Sequence, residues 1–171
     1  MPETRVIRIN LGAGSDIQPG WVNHDIVELP SINSVHDLDV YPWPWPDGSV
    51  SRIRAFDVFE HVWHPDEFIR ECWRVLRPGG VLDMHTVGVM TDARGNTRVS
   101  PNYWRDPDHK RACDPQSLDY FCPVGAHGQP SYLHQRYGAA KTGGYATFEH
   151  VRAPQFVDGL ELSFLLRKPL A

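Results

Sequence analysis

Residues 6–14, VIRINLGAG, decide the fold. Val6 to Leu11 alternates, is rich in β-branched residues and has strand length, and it stops on Gly12-Ala13-Gly14. That order predicts a buried strand delivering the chain into a tight glycine turn, where backbone N–H groups can approach a ligand that a Cβ would exclude. Working outward, Trp21 to Val27, Ile32 to Leu38, Val50 to Val58 and Val81 to Val87 read as further strands. Pro46-Asp47-Gly48-Ser49 is a turn leading into the fourth of these. The clearest helix is Pro65 to Leu76, where Phe68, Ile69, Cys72, Val75 and Leu76 form one apolar stripe. Pro65 suits a first helical turn, Asp66 and Glu67 suit the positive end of the helix dipole, and Pro78-Gly79-Gly80 reads as the stop.

Strands alternating with a crossover, with acids at their ends, predict an α/β, Rossmann-like, mostly parallel sheet. Only the nine residues Gly12 to Gly20 separate the first two strands. A helical crossover usually takes a dozen or more. The first crossover is therefore expected to be a single helical turn or an extended loop. Beyond the fifth strand, Gly88 to Ala112 lacks periodicity, Asp114 to Phe121 reads as a short helix, and Cys122 to Gly144 as a long irregular excursion. Ala146 to Arg152 and Val157 to Arg167 are read as a closing antiparallel hairpin turning at Ala153-Pro154-Gln155. The organisation expected is one domain over residues 1–171: a cofactor half at 5–87, substrate or lid loops at 88–145, and the hairpin at 146–168.

A chain of 171 residues buries roughly 70% of its unfolded surface, enough for one core. Its 21 acidic residues against 17 basic ones, net charge −4, argue against nucleic acid, whose binding is driven by counterion release at a basic face. The three cysteines, Cys72, Cys113 and Cys122, do not form a disulfide framework. The first ten residues lack the plan of a leader, and no apolar run approaches the roughly 18 residues of a membrane span. A cytoplasmic protein is the expectation, its oligomeric state left open.

Four constellations carry chemistry, each with a plainer reading beside it. The glycine turn Gly12-Ala13-Gly14 is a ligand cradle or simply a turn, and it does not complete G-x-G-x-x-G because Ile17 stands at the third glycine. Asp25, ending the second strand, can accept from both hydroxyls of a ribose, or sit solvated in a loop. Asp37 with Leu38 can meet an adenine amino group and ring face; alternatively Asp37 or Asp39 caps a turn. Asp57-Val58-Phe59-Glu60-His61 places three ionisable groups at a strand end, where Glu60 and His61 act on a ligand or pair with Arg54, Arg70 or the backbone.

In this order, LGAGSD, GWVNHDI, the stretch from Val35 to Val62, and EFIRECWRVLRPGGVLDM resemble the class I S-adenosylmethionine-dependent methyltransferases with a compact first crossover. The resemblance covers residues 5 to about 87. It implies a seven-stranded sheet whose last hairpin supplies an antiparallel strand. It further implies S-adenosyl-L-methionine as cofactor, with Gly12, Ala13 and Gly14 along its methionine part, Asp25 at the ribose, Asp37 and Leu38 at the adenine, Asp57 near the amino-acid portion, and Ile26 also among the cofactor-binding residues.

Methyl transfer from a sulfonium is an in-line displacement that alignment alone accelerates, and a base is needed only for a protonated acceptor. His61, His85 and His109 are the candidate catalytic residues. In the dense run from Asn102 to Arg111, Tyr103 and Trp104 are candidates for stacking on a planar acceptor and Arg105, Lys110 or Arg111 for holding an anionic group, or else the run is a solvated charged loop. No metal is expected from His109, Cys113, Cys122, His127 and His134, because no C-x-x-C or H-x3-H spacing occurs. Related enzymes that methylate nucleic-acid amino groups carry an Asp-Pro-Pro-Tyr-like run, where this chain has Asp57-Val58-Phe59-Glu60, and the Pro-Cys of cytosine carbon methylation is absent. The expected substrate is thus a small molecule accepting at oxygen or nitrogen. Two other readings stay open: a scaffold that keeps the cofactor fold without turnover, and a nucleotide-dependent oxidoreductase.

Overall fold

The computed structural model describes residues 6–138, 147–157 and 160–170. In chain order it has β1 (Ile7–Leu11), β2 (Val22–Asp25), β3 (Ser34–Val35), β4 (Val50–Phe56), α1 (Pro65–Val75), β5 (Leu76–Val87), β6 (Val89–Thr91), β7 (Thr97–Val99), α2 (Pro101–Arg105), β8 (Glu149–Val157) and β9 (Glu161–Arg167). Seven strands form one sheet in the order β3-β2-β1-β4-β5-β9-β8, and β6 pairs with β7 alone. β1 to β5 run parallel, and β9 lies antiparallel between β5 and β8. This is the Rossmann-like mixed sheet expected, with its closing hairpin. Strand order reverses at β1, so a crevice opens beyond the carboxyl ends of β1, β2 and β4.

Alternation along the strands builds the core. Ile9, Ile53, Leu82 and Leu166 stand in register across four strands, as do Leu11, Ala55, Met84 and Phe164, and all are buried. They join the predicted stripe of α1, whose Phe68, Ile69, Cys72 and Val75 have no exposed surface. Each such side chain contributes roughly 1.5–3 kcal/mol by leaving water. On the opposite sheet face, polar pairs stand where a second apolar layer would be. Arg54 donates to Asn10 at 2.8 Å and pairs with Asp16, and Arg52 meets Asp83 at 2.6 Å.

The strands expected at Trp21–Val27, Ile32–Leu38 and Val50–Val58 are shorter, and three other elements differ in kind. Asp114 to Phe121 forms turns ending in a short 3-10 turn at Asp119–Phe121, without an α-helix. Pro78-Gly79-Gly80 is a bulge inside β5: Leu76 already pairs with Val50, and pairing resumes at Val81 with Arg52. The closing hairpin does not turn at Ala153-Pro154-Gln155. β8 runs through them to Val157, its register slipping between Arg152 and Gln155 to pass the proline. The expected strand start at Ala146 and the lid residues 139–145 lie outside the described residues. No helix among the described residues is long and apolar enough to cross a membrane.

The β1–β2 crossover is an extended loop without helix, so its backbone needs other partners. Buried asparagines provide them. Asn10 Nδ2 donates to the Asp16 carbonyl at 2.7 Å, and Asn23 Oδ1 accepts from Gln18 N at 2.8 Å and from Asn10 Nδ2 at 3.2 Å. Asn23 Nδ2 donates back to the Gln18 carbonyl at 3.1 Å. Asn23→Ala therefore strands several buried polar groups at once. The expected cost is about 1–3 kcal/mol, read as a lower denaturation midpoint with unchanged slope; an unshifted midpoint would show that the loop does not depend on this network.

Candidate functional site

The crevice beyond the strand ends is a cleft of about 500 Å³. Gly12 after β1, Asp25 and Ile26 at the end of β2, Asp37, Leu38 and Asp39 after β3, and Asp57 and Val58 after β4 all line it. Gly12 has φ +57°, and a Cβ there would stand 2.5 Å from Val58 Cγ2. Only glycine lets the β1 loop lie this close to the β4 loop.

Asp25 is held from two sides. Its Oδ2 accepts from Gly14 N at 2.8 Å and its Oδ1 from Val27 N at 3.0 Å. The carboxylate plane is thereby fixed, while each oxygen keeps a lone pair for a further donor. Beside it Ile26 is 61% exposed, an apolar side chain at the rim of the cleft. Leu38 is buried in the lining. Ala13 and Gly14 sit just behind the lining, their N–H groups bonded to the His24 carbonyl and to Asp25. The capping alternative is also realised. Asp37 Oδ1 accepts from Asp39 N at 2.9 Å, and the Asp39 carboxylate receives Trp63 N and His64 N at the entry to α1.

His24, a lining residue the sequence reading passed over, is buried against Trp45 with ring centroids 5.4 Å apart. Its Nε2 lies 2.9 Å from the His36 carbonyl, and so must carry the proton. Nδ1 is left as a buried acceptor without a partner. Burial holds this imidazole below its usual pKa, hence neutral. Asp57 has φ +55°, a left-handed conformation at the end of β4, with its N–H bonded to the His85 carbonyl at 3.1 Å.

At the other end of the cleft stand His61, Val62, Trp63, Asp108 and Lys110. His61 Nδ1 lies 3.2 Å from Asp108 Oδ2. Lys110 Nζ reaches Asp108 at 3.0 Å and covers the Trp63 ring at 4.5 Å. The lysine bond, with His61 behind it, holds the Asp108 carboxyl below its usual range. His109 packs on His61 at 4.7 Å between centroids, with Tyr103 beyond it at 6.2 Å. Glu60 is fully buried, accepts from Thr86 Oγ1 at 2.9 Å, and is pushed up in pKa by that burial.

Other expected site residues stand elsewhere. His85 stacks on Phe56 with centroids 3.7 Å apart and is not part of the lining. Arg111 spends its guanidinium on the Phe59 and Val62 carbonyls, so it is a structural clamp, not a free anion binder. Arg105 bonds Asn102 at 3.1 Å, and Trp104 is 76% exposed against Tyr103. From the run Asn102 to Arg111 the lining instead takes Asp108 and Lys110, and from the segment before α1 it takes Trp63, which no local pattern marked.

Residues 12–83 match the family model of a methyltransferase domain. Over 94 residues the chain is 35% identical to a protein of Mycolicibacterium smegmatis named as a probable S-adenosylmethionine-dependent methyltransferase, covering 54% of this chain and 36% of that one. It is 28% identical over 99 residues to the ubiquinone biosynthesis O-methyltransferase of Caulobacter vibrioides, covering 54% and 38%. The matches thus span well under half the length of these curated relatives. A crystal structure of an S-adenosylmethionine-dependent methyltransferase from Archaeoglobus fulgidus superposes with TM-score 0.58 at 12% identity, over 96% of this chain and 87% of that one. The fold is that of this group.

The buried neutral His24 makes stability depend on pH with a definite sign. Its pKa is lower folded than unfolded, so its contribution is complete above the unfolded value of 6.5 and is lost as pH falls below it. His24→Gln keeps a donor for the His36 carbonyl but cannot titrate. Between about pH 7.5 and about pH 5, the melting temperature of the variant is expected to fall less than that of the wild type; parallel curves would refute the neutral burial of His24.

Proposed function

We propose that this chain, whose residues 12–83 match the methyltransferase domain family, binds S-adenosyl-L-methionine along the strand-end cleft and directs its methyl group to an oxygen or nitrogen of a small-molecule acceptor. The observation that carries this reading is the convergence of Gly12, Asp25, Asp37 and Asp57, from four loops, on one cleft. Five carboxylates, of Asp25, Asp37, Asp39, Asp57 and Asp108, face it against the single lysine Lys110. Such a lining favours a cationic ligand, and the cofactor carries both a sulfonium and an ammonium.

Asp25 has the spare acceptor capacity to take a ribose diol, Ile26 and Leu38 offer apolar faces for the adenine, and Asp37 can accept from its amino group. The unpaired His24 Nδ1 is a further acceptor in this half. Gly12 to Gly14 leave room for the methionine part, and Asp57 can meet its ammonium. When bound, the cofactor supplies a methyl carbon on a good leaving group. The protein's work is to align an acceptor lone pair with it and to exclude water, which in well-oriented systems is worth roughly 7–11 kcal/mol. An acceptor arriving as O–H or N–H must also lose its proton. With Nδ1 directed to Asp108, His61 offers Nε2 for that proton. The products are methylated acceptor, S-adenosylhomocysteine and a proton.

The acceptor end supports a small molecule: it carries one lysine beside an exposed indole, Trp63, and no basic stripe for a nucleic acid. A relative's name as an O-methyltransferase supports oxygen as the acceptor atom. We further propose that residues 1–171 work as one domain, that segments 88–145 contribute the acceptor side, and that the protein acts in the cytoplasm.

Two measurements test the reading. Calorimetry with S-adenosylhomocysteine should show binding that Asp25→Ala weakens by about 1–3 kcal/mol, or about 5- to 150-fold, because the ribose hydroxyls lose their acceptor; equal affinity in the variant would move the ribose elsewhere. Transfer of labelled methyl to a metabolite extract should yield a labelled small molecule. Binding without any transfer would favour a scaffold, and stabilisation by NAD(P) alone would favour an oxidoreductase.

A further inference from the structure

Three side chains at the acceptor end form a donor set that methyl transfer by His61 alone leaves unexplained. His61 comes from the segment between β4 and α1; Asp106 and His109 come from the turn after α2. One ligand-type atom of each lies within 4.8 Å of the other two. His109 is the decisive residue. Its side chain is 8% exposed, Nδ1 is buried without a partner, and Nε2 is 4.0 Å from Asp106 Oδ2, beyond hydrogen-bond reach. A buried imidazole nitrogen with no partner is costly unless something else occupies it. His61 is prepared in a complementary way. Asp108 takes its Nδ1, and a carboxylate behind one ring nitrogen is the arrangement that fixes the tautomer and orients the other nitrogen toward a metal.

We propose that His61, Asp106 and His109 bind a divalent transition-metal ion at the acceptor end of the cleft, with Asp108 positioning His61. Two imidazoles and one carboxylate suit zinc, iron(II), cobalt or manganese better than calcium or magnesium, which prefer all-oxygen shells. Ligand atoms around a tetrahedral ion stand roughly 3.3 Å apart, so separations within the set close by up to about 1.5 Å. Asp106 and His61, 48% and 30% exposed, have the freedom to do this. Three protein ligands leave a position open, and His61 places it on the cleft. Resting on the methyl-transfer reading, the ion's role is that of a Lewis acid. It lowers the pKa of an acceptor hydroxyl, whose proton leaves to solvent, and favours acceptors whose oxygen can ligate. In the loaded protein His61 Nε2 is a ligand, and the ion takes over the work of the base.

The test is a titration of tag-free, EDTA-treated full chain with Co²⁺, followed by calorimetry and by the visible absorption of cobalt. The expected result is one ion per chain. Asp106→Asn and His109→Ala should weaken it by roughly 100-fold or more, Asp108→Asn by about 10- to 100-fold, and the exposed, remote His127→Ala not at all. Circular dichroism checks each fold, and Asp106→Asn, at an exposed position, keeps the test valid if His109→Ala does not fold. No binding at millimolar Co²⁺, or equal affinity in wild type and Asp106→Asn, overturns the proposal. The readout needs neither cofactor nor acceptor. Normal S-adenosylhomocysteine binding and methyl transfer in metal-free protein would sink the metal's role alone, whereas metal binding without cofactor binding would sink the transferase reading alone.

Discussion

The bond from Gly14 N to Asp25 Oδ2, 2.8 Å long, ties the exit of β1 to the exit of β2, and the rest of the cleft is arranged around it. A parallel sheet needs crossovers, and a crossover without a helix has no internal way to satisfy its backbone. Here Asn10 and Asn23, buried within the strands themselves, substitute for the missing helical bonds. The same connection that lacks a helix must present Gly12 to the cleft and brace Asp25. Fold stability and ligand geometry therefore share one hydrogen-bond network, with little room to change either alone.

A second network reaches the cleft from the core side. Glu71 on α1 accepts from Trp43 N at 2.7 Å and from Arg74, and Arg74 reaches the Trp43 and Trp45 carbonyls at 3.1 and 3.0 Å. This pins the Trp43 indole against Phe68 and Trp45, and Trp45 in turn packs on His24. The β3–β4 connection also returns through Asp39, whose carboxylate meets the backbone before α1. So the packing of α1 decides where His24 and Asp39 stand. The carboxylate of Glu71 tolerates its burial because backbone and guanidinium donors satisfy it.

The periodic elements were legible in the sequence because their signal is local: the strands from Ile7, Val22 and Val50, and the stripe of α1. Misreadings came where a local breaker was absorbed by long-range pairing. Pro78-Gly79-Gly80 stops a helix in isolation, yet Gly79 N donates to the Lys168 carbonyl and Lys168 N to the Gly80 carbonyl, and it becomes a bulge in β5. Ala153-Pro154-Gln155 suggests a turn, but β8 is an edge strand, where a proline costs no internal ladder bond once the register slips. At the site, strand-end residues such as Asp25, Asp37 and Asp57 could be anticipated from topology. Asp108 lies 47 residues beyond His61, and no spacing rule announces that pair. His24 was hidden for another reason: a histidine inside a strand looks like filling until its unpaired nitrogen is seen.

Arg111 shows how the acceptor end is assembled from distant parts. Its guanidinium binds the Phe59 and Val62 carbonyls and lies 5.5 Å from the Phe59 ring centre, so it spans the loop that carries His61. Next to it, Lys110 N donates to the Glu60 carbonyl at 2.8 Å; two residues on, Cys113 exchanges bonds with Val87 and Val89 at the end of β5. The segment from Asp108 to Cys113 is thus fastened on both flanks, to the strand end that presents Asp57 and to the strand end beside it. A free anion binder at residue 111 would have left Phe59 and Val62 with unpaired carbonyls and His61 without a fixed neighbour. The cation is used inward, and that inward use is what lets Asp108 reach His61 at hydrogen-bonding distance and His109 pack on its ring.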